Sequence, residues 1–524
     1  MPSTSSTQQQ ARHKANRLRP SVENLPWLSE RMSFSSSSSS NNNHRAAAMT
    51  TVRPLHIVFL HLDLGIGGAE QLVLQLATAS QSLGHHVDLV TTRCDPHHCF
   101  AAVAPGGPLH ANLHVWGRWI PQDVLGGKAR TLCSTLRLLY LAYRVARKKS
   151  PDVIVVDVLS TPLPLLQFTD SALLFYCHFP DQLLKQKNGQ QKQVGSLARQ
   201  WYQTVMNQLE TRTMKSADLI CVNSNFTKQI VLETFPGLLE HHHNYLPVLY
   251  PALEEPTEPQ QPNTRQQKEY MIVSLNRFER KKNLGLLLHA VAWIRDQYPR
   301  LKLPKVIIAG GYDVKCVENV EYRAELGQLA EQLQLTPVVE FQLSISDDQR
   351  RTLLATALAV VYTPAREHFG IVPLEAMFAG TPVVAVNSGG PKETIVDGVT
   401  GFLCDDTPEA FGRALVQLLQ DPEQAAAMGR AGRDHVQATF GTQRLVREWK
   451  RLVEETVTLG RQRLQRAGQY RLARSVWYLV DALMTLFLCL VLTYLLRWLG
   501  VLEPSASLWG SVRQMVQRGR GDEL

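Results

Sequence analysis

The chain has no Cys-x-x-Cys pair, no apolar signal-peptide core near its start and no complete G-x-G-x-x-G fingerprint. Its eight cysteines (Cys94, Cys99, Cys133, Cys177, Cys221, Cys316, Cys404, Cys489) are unpaired in spacing, and several fall in apparent strands. That excludes a zinc ribbon or a disulfide scaffold and reads as reduced, buried thiols in a cytosol-facing protein. The histidine doublets and the triplet His241 to His243 lack partners at zinc spacing, so no metal site is expected. No basic stripe is interleaved with aromatics, which speaks against nucleic acid. Lys and Arg number 55 against 46 Asp and Glu, a net +9. This mild basicity suits phosphate ligands or an anionic membrane surface and excludes little else.

What is present is a repeated alternation of short apolar runs with helical patterns. At 524 residues the chain is too long for one ordinary core. Residues 1–50, with the run SFSSSSSSNNN from Ser33, cannot bury a core and are expected to be disordered. Met49 precedes the first fold-like segment and could serve as an alternative start. Leu55 to His61 is an apolar run entering a glycine loop, Gly65, Gly67 and Gly68. A helical pattern from Ala69 to Leu83 and a strand from His86 to Thr91 complete an opening βαβ unit. Strands are expected at Val153 to Asp157, Ala172 to Cys177 and Asp218 to Val222, giving a first Rossmann-like domain over 51–250. A Pro-, Glu- and Gln-rich linker, 251–267, leads to a second such domain over 268–440. Its strands are expected at Met271 to Leu275, Lys305 to Ala309, Val338 to Gln342, Leu358 to Tyr362 and Pro382 to Val386.

Two segments of the second domain carry chemistry. EHFGIVPLEAM, Glu367 to Met377, reads as a loop and helix after a strand, with one carboxylate in the loop and Glu375 about a turn inside the helix. Free amides at a helix start suit a phosphate, and carboxylates suit hydroxyls. A nucleotide sugar has both, although a capping acid plus an ordinary helix glutamate would give the same pattern. NRFERKKN, Asn276 to Asn283, follows a strand with four cations in six residues. The C-terminal strand ends of an open α/β sheet are where ligands bind, and Arg can take a diphosphate bidentately. A solvated basic loop is the alternative for that segment alone.

NRFERKKN followed by EHFGIVPLEAM resembles the retaining GT-B glycosyltransferases with a Glu-x7-Glu signature. HLDLGIGGAE, FYCHFPD, CVNSNFT, LYP, AGGYD and VNSGGP occur in that order over roughly residues 54 to 455. This set is similar to the dolichol-pathway family that adds the second and third mannoses of the lipid-linked N-glycan precursor. The resemblance implies two Rossmann-like domains facing a cleft, with a return helix, 441–460, on the first. It implies transfer from GDP-mannose to a dolichyl-diphosphate oligosaccharide, α-1,3 then α-1,6, without a metal or other cofactor. Arg277 and Lys282 match the diphosphate-binding positions, and the amides around Phe369, Gly370 and Ile371 join them. Glu375 falls on the ribose hydroxyls and Glu367 near the transferred sugar. His368 stands where the wider family commonly has Gly, and its role stays open between donor phosphate and packing. His178 approaches the sugar or its phosphate, and Gly67, Gly68 and Glu70 form the acceptor-side loop. A different nucleotide sugar or acceptor, or a scaffold without activity, are the competing readings.

The resemblance also implies the cytosolic face of the endoplasmic reticulum membrane, and other mannosyltransferases of the pathway as partners. Independently, Val476 to Leu496 is a mostly apolar run of spanning length, interrupted by Asp481 and preceded by an arginine-rich flank. An in-leaflet helix is the alternative to a span. Residues 497–524 form a short tail ending in GDEL, close to a lumenal retrieval signal. The basic amphipathic stretch Arg130 to Lys149 is open between a lipid contact and an ordinary surface helix. Asn225-Phe226-Thr227 is a glycosylation sequon that a cytosolic fold would keep from use.

Overall fold

The computed structural model describes residues 53–123, 130–180, 183, 197–241, 245–253 and 268–469, all of them except Arg53 within the unit Pro54–Leu524. The expected disordered segment 1–50, most of the linker, the apolar run Val476 to Leu496 and the tail lie outside these residues. Among the described residues no helix is long and apolar enough to cross a membrane.

Six parallel strands form the first sheet: β1 (His56–Leu60), β2 (His86–Thr91), β3 (Leu113–Val115), β4 (Val153–Asp157), β5 (Ala172–Cys177) and β6 (Leu219–Val222). Their order is β3-β2-β1-β4-β5-β6. A second sheet repeats it as β9-β8-β7-β10-β11-β12. Its strands are β7 (Glu269–Leu275), β8 (Lys305–Gly310), β9 (Val339–Leu343), β10 (Ala357–Tyr362), β11 (Val383–Val386) and β12 (Gly401–Cys404). Both sheets reverse strand order beside their first strand, the place where an open α/β sheet forms a ligand crevice.

Each sheet is buried on both faces, which is why its strands read as continuous apolar runs. Along β1, Ile57 and Phe59 enter one core while Val58 and Leu60 enter the other. Along β7, Ile272 enters one core and Met271, Val273 and Leu275 the opposite one. Full burial of each such side chain stabilises the fold by about 1.5–3 kcal/mol.

Among the described residues eleven longer helices cover the sheets: α1 (Gly68–Ser82), α2 (Arg130–Lys148), α3 (Leu197–Met214), α4 (Asn225–Thr234), α5 (Gly285–Gln297), α6 (Val317–Gln332), α7 (Asp347–Thr356), α8 (Ile371–Phe378), α9 (Pro408–Gln420), α10 (Pro422–Phe440) and α11 (Thr442–Gln469). Helix α11 runs past the expected end of the return helix. Its stripe Leu445, Trp449, Leu452 and Val453 joins the core of the first sheet. The Trp449 indole N–H donates to Ser80 Oγ at 2.8 Å, and Arg463 pairs with Asp218 at 2.7 Å.

Helix α2 corrects one expectation about its basic stretch. Arg137 is not on the solvent face but 1 % exposed, donating to Asp63 and Thr92. Lys149, just past the helix, is tied to Asp88 at 2.7 Å. Two of the six cations of that stretch therefore hold the fold together instead of facing a surface.

Candidate active site

At the C-terminal end of the central strand β7 the chain enters a single 3-10 turn, Arg280–Lys282, closed by Asn283 in the left-handed region at φ 48°. This turn separates two adjacent lysines. Lys281 faces solvent and pairs with Glu279, whereas Lys282 is 9 % exposed. The Lys282 carbonyl accepts from Thr363 Oγ1 at 2.6 Å, and its ammonium donates to Glu367 Oε2 at 2.6 Å. Thr363 directly follows β10 and Glu367 lies in the same loop, so one strand end anchors both partners. Burial pushes the Glu367 carboxyl up, and the Lys282 charge and hydrogen bond outweigh it, leaving the group below its usual range. The other cations are committed elsewhere. Arg277, largely exposed, pairs with Glu279 at 3.1 Å, and Arg280 pairs with Glu321 at 3.0 Å and Glu325 at 2.5 Å.

The loop carrying Glu367 is held from below by glycine. A Cβ on Gly389 would lie 2.4 Å from the Glu367 carbonyl oxygen, and one on Gly390 would lie 2.2 Å from that of Phe369. Gly389 also adopts φ 65°, so no other residue fits there without moving the signature loop. Gly370, at φ 81°, begins α8, and Ile371 is its first residue. The Phe369 ring packs between Tyr250 (5.7 Å) and Phe440 (5.9 Å) in the core, which leaves its backbone as the part able to meet a ligand. Glu375 lies on α8 and takes an ion pair from Arg350 of α7. Burial raises its carboxyl, and the guanidinium offsets this only in part. Sequence reasoning missed Arg350, which no local motif marks.

His368 joins the two halves of the site. Its ring stacks on Phe179, with centroids 3.7 Å apart and planes 11° from parallel. Burial lowers its imidazole to about 4, so the ring is neutral near pH 7. Its carbonyl accepts from Ser224 Oγ at 2.7 Å. Alongside, Glu393 accepts from the backbone N–H groups of Asn225 (2.7 Å) and Phe226 (2.5 Å), at the start of α4, and from the Tyr250 hydroxyl (2.8 Å). The amide of Asn225, the sequon residue, donates to that same hydroxyl at 2.8 Å.

On the first sheet, Gly67 caps α1 and Gly68 opens it. The Glu70 carboxylate folds back over Gly67, where a Cβ would lie 2.4 Å from Oε2. His178 follows β5 and is joined by two residues the sequence did not single out. Its Nε2 lies 3.1 Å from Oδ2 of Asp157, the last residue of β4. His61, following β1, places Nδ1 at 2.8 Å from both oxygens of the same carboxylate. Strands β1, β4 and β5 are consecutive in the sheet, so their ends converge. Among the described residues no group of three or more His, Cys, Asp or Glu side chains is placed to hold a metal ion.

The cleft thus offers a buried ammonium beside a carboxylate, a glycine-supported loop opening a helix, a second carboxylate and a histidine edge. Such a set can hold a polyhydroxylated, phosphorylated ligand and stabilise charge on a departing phosphate.

Family models for Glycosyl transferases group 1 and Glycosyltransferase Family 4 match residues 256–435 and 66–240. The chain is 39 % identical to the alpha-1,3/1,6-mannosyltransferase ALG2 of Mus musculus, covering 73 % of this chain and 92 % of the relative. It is 38 % identical to that of Homo sapiens, covering 76 % and 95 %. Among solved structures, sucrose-phosphate synthase from Thermosynechococcus elongatus superposes with a TM-score of 0.59 at 21 % identity, over 76 % of this chain and 98 % of that one. That likeness shows the shared fold, two Rossmann-like halves in the GT-B arrangement.

Proposed function

The chain belongs to the alpha-1,3/1,6-mannosyltransferase family of group 1 glycosyltransferases, and we propose that it transfers mannose from GDP-mannose to a dolichyl-diphosphate-linked mannosyl-chitobiose with retention. The first addition is α-1,3 and the second α-1,6, within N-glycan precursor assembly. The observation that carries this reading is the buried Lys282 ammonium 2.6 Å from Glu367. In breaking an anomeric bond to a diphosphate, negative charge grows on the leaving group. An oriented cation there stabilises the transition state more than the ground state.

In this reading Lys282 and Arg277 bind the diphosphate with the amides around Phe369, Gly370 and Ile371. Arg277, itself largely exposed, pairs with Glu279, a partner it can leave for a phosphate. Glu375 accepts from the ribose hydroxyls and Glu367 from the transferred sugar, with Lys282 keeping Glu367 ionised for that role. His368, neutral and stacked on Phe179, shapes the donor pocket. Gly67, Gly68 and Glu70 line the acceptor side, and the leaving phosphate takes the acceptor proton on the front face. The positive charge present suffices without a metal. The protein acts on the cytosolic face of the endoplasmic reticulum, anchored by Val476 to Leu496 and assembled with other mannosyltransferases of the pathway.

Incubating membranes holding the full chain with phytanyl or dolichyl diphosphate acceptor tests this. GDP-mannose should give two successive additions of defined linkage, in the presence or absence of EDTA. Transfer from UDP-glucose instead, or abolition by chelation, contradicts the donor or the metal-free assignment respectively.

A further inference from the structure

Asp157 is an ionised carboxylate in an almost fully buried place, and the reading above gives it no task. It is 2 % exposed, as is fitting for a strand end covered by loops, and His61 beside it is 3 % exposed. Burial pushes the Asp157 carboxyl up, but the charges and hydrogen bonds of His61 and His178 outweigh it and bring the group down to about 2. Burial likewise pulls the His61 imidazole down, and Asp157, with a smaller contribution from Glu70, more than reverses this. Asp157 is therefore a carboxylate, and its contact with His61 favours the protonated form of that imidazole. The turn that presents Asp157 is strained. Val158, a β-branched residue, sits at φ 64°, and the Leu159 N–H donates to the Asp157 carbonyl at 2.7 Å. This is a tight γ-turn of the positive-φ kind, costing about 1–3 kcal/mol. Such strain persists where the surroundings over-determine a position, as they do for a group aimed at a site.

We propose that Asp157 and His61 are positioning residues for His178. Asp157 holds the ring by its Nε2–H, and His61 shares and balances the Asp157 carboxylate from the other side. Nδ1 is then the nitrogen offered to the ligand, as an acceptor for a sugar hydroxyl. A histidine's two nitrogens exchange roles according to the partner of one of them, so fixing Nε2–H fixes Nδ1 as acceptor. Without His61, the carboxylate would find its counter-charge in His178, which would then present a donor. The hydroxyl partner rests on the transferase reading, whereas the hold of Asp157 on the ring does not. The titratable and charged groups around His178 are Asp157, His61 and, beyond it, Glu70, then Tyr176 on its own strand. Across the cleft stands His368, with Glu367, Lys282 and Lys281 behind it.

The two substitutions move His178 in opposite directions, which a purely structural role would not do. Imidazole C2–H exchange read by mass spectrometry on the full chain gives the His178 titration without any substrate. His61→Asn should raise the proton affinity of His178 about tenfold or more, and Asp157→Asn should lower it. In the transfer assay Asp157→Asn should lower kcat about 10- to 100-fold, since misplacement of an orienting group costs that much, with the donor KM within about twofold. Shifts of the same sign, or none, overturn the proposal. If His61→Asn does not fold, the near-isosteric Asp157→Asn decides alone, and an unmoved His178 titration or an unchanged kcat overturns it. Variants that show the His178 shifts while the unaltered chain gives no transfer from GDP-mannose uphold the positioning and overturn the substrate reading instead.

Discussion

The two halves of the molecule place an acid–base pair at equivalent points and treat it differently. In the first, His61 follows the first strand and meets Asp157 at the end of the fourth, at 2.8 Å. In the second, Lys282 follows the first strand and meets Glu367 in the loop after the fourth, at 2.6 Å. The shared order of strands brings the ends of the first and fourth together in each sheet. Exposure then separates the roles. The side chains of the first pair are 4 % and 2 % exposed, sealed from any ligand, while those of the second are 11 % and 28 % exposed and open to the cleft. A sealed pair can act only through a neighbour, here His178. An open pair can exchange its partner for a substrate. Topology supplies the pair, and burial decides whether it binds or positions.

The strongest way to break this comparison is at the open pair. Lys282→Ala should lower turnover by about 10² to 10³, the worth of one oriented donor at a developing charge. Lys281→Ala should stay within a few-fold, because that lysine points outward. Initial rates at saturating donor check this, and equal losses would mean that burial does not distinguish the two lysines. The contacts closing the halves on each other come next. Glu393→Ala removes a carboxylate accepting three hydrogen bonds from the first half, and should cost about 2 kcal/mol in denaturant unfolding, given about 1.5–3 kcal/mol for a bond to a charged group. A change below about 0.5 kcal/mol would show that these bonds do not hold the halves together.

Finer resolution comes from the two signature glutamates. Glu375→Ala should weaken GDP as a competitor about tenfold, the loss of one good polar partner, and Glu367→Ala should instead lower turnover. The reverse pattern would exchange their roles. The smallest effect is one of pH. Burial holds the folded His368 imidazole at about 4, below its ordinary 6.5. As pH falls through 6.5 the unfolded chain takes up the proton and the folded chain does not, so stability is lost on acidification, completely only below the folded value. From pH 6.5 to 5.5 this amounts to about 1 kcal/mol. Unfolding free energies of His368→Gln should fall less over that interval than those of the unaltered chain, and parallel curves would place the histidine in water.

Most strands were legible because both faces of each sheet are buried, which leaves runs such as Val153–Asp157, apolar up to its last residue, and Ala172–Cys177. The edge strands Leu113–Val115 and Gly401–Cys404 were not foreseen. They are three and four residues long, and the first is only half-buried, so neither produces a run. Glu367, Glu375 and Lys282 could be found because each belongs to a local motif. His61 opens the quoted HLDLGIGGAE and Asp157 ends an expected strand, yet neither was singled out, since each is one polar residue at the end of an apolar run. Their meeting, 96 positions apart, depends on which strands are neighbours. The signal available was their shared position at strand C-terminal ends, which acquires meaning only with the strand order. Arg350 and Glu393 stood outside the motifs for the same reason, each reaching its partner from another element.

Calorimetric titration of GDP into the full chain carrying Lys282→Ala, set beside Asp157→Asn, tests most directly whether the open pair binds and the sealed pair positions. The account predicts that GDP affinity falls about tenfold or more in Lys282→Ala, where a charge-assisted contact to the diphosphate is lost, and stays within about twofold in Asp157→Asn, with mannose transfer reduced in both. GDP affinity that falls equally in the two variants, or that is unchanged in Lys282→Ala, would contradict it.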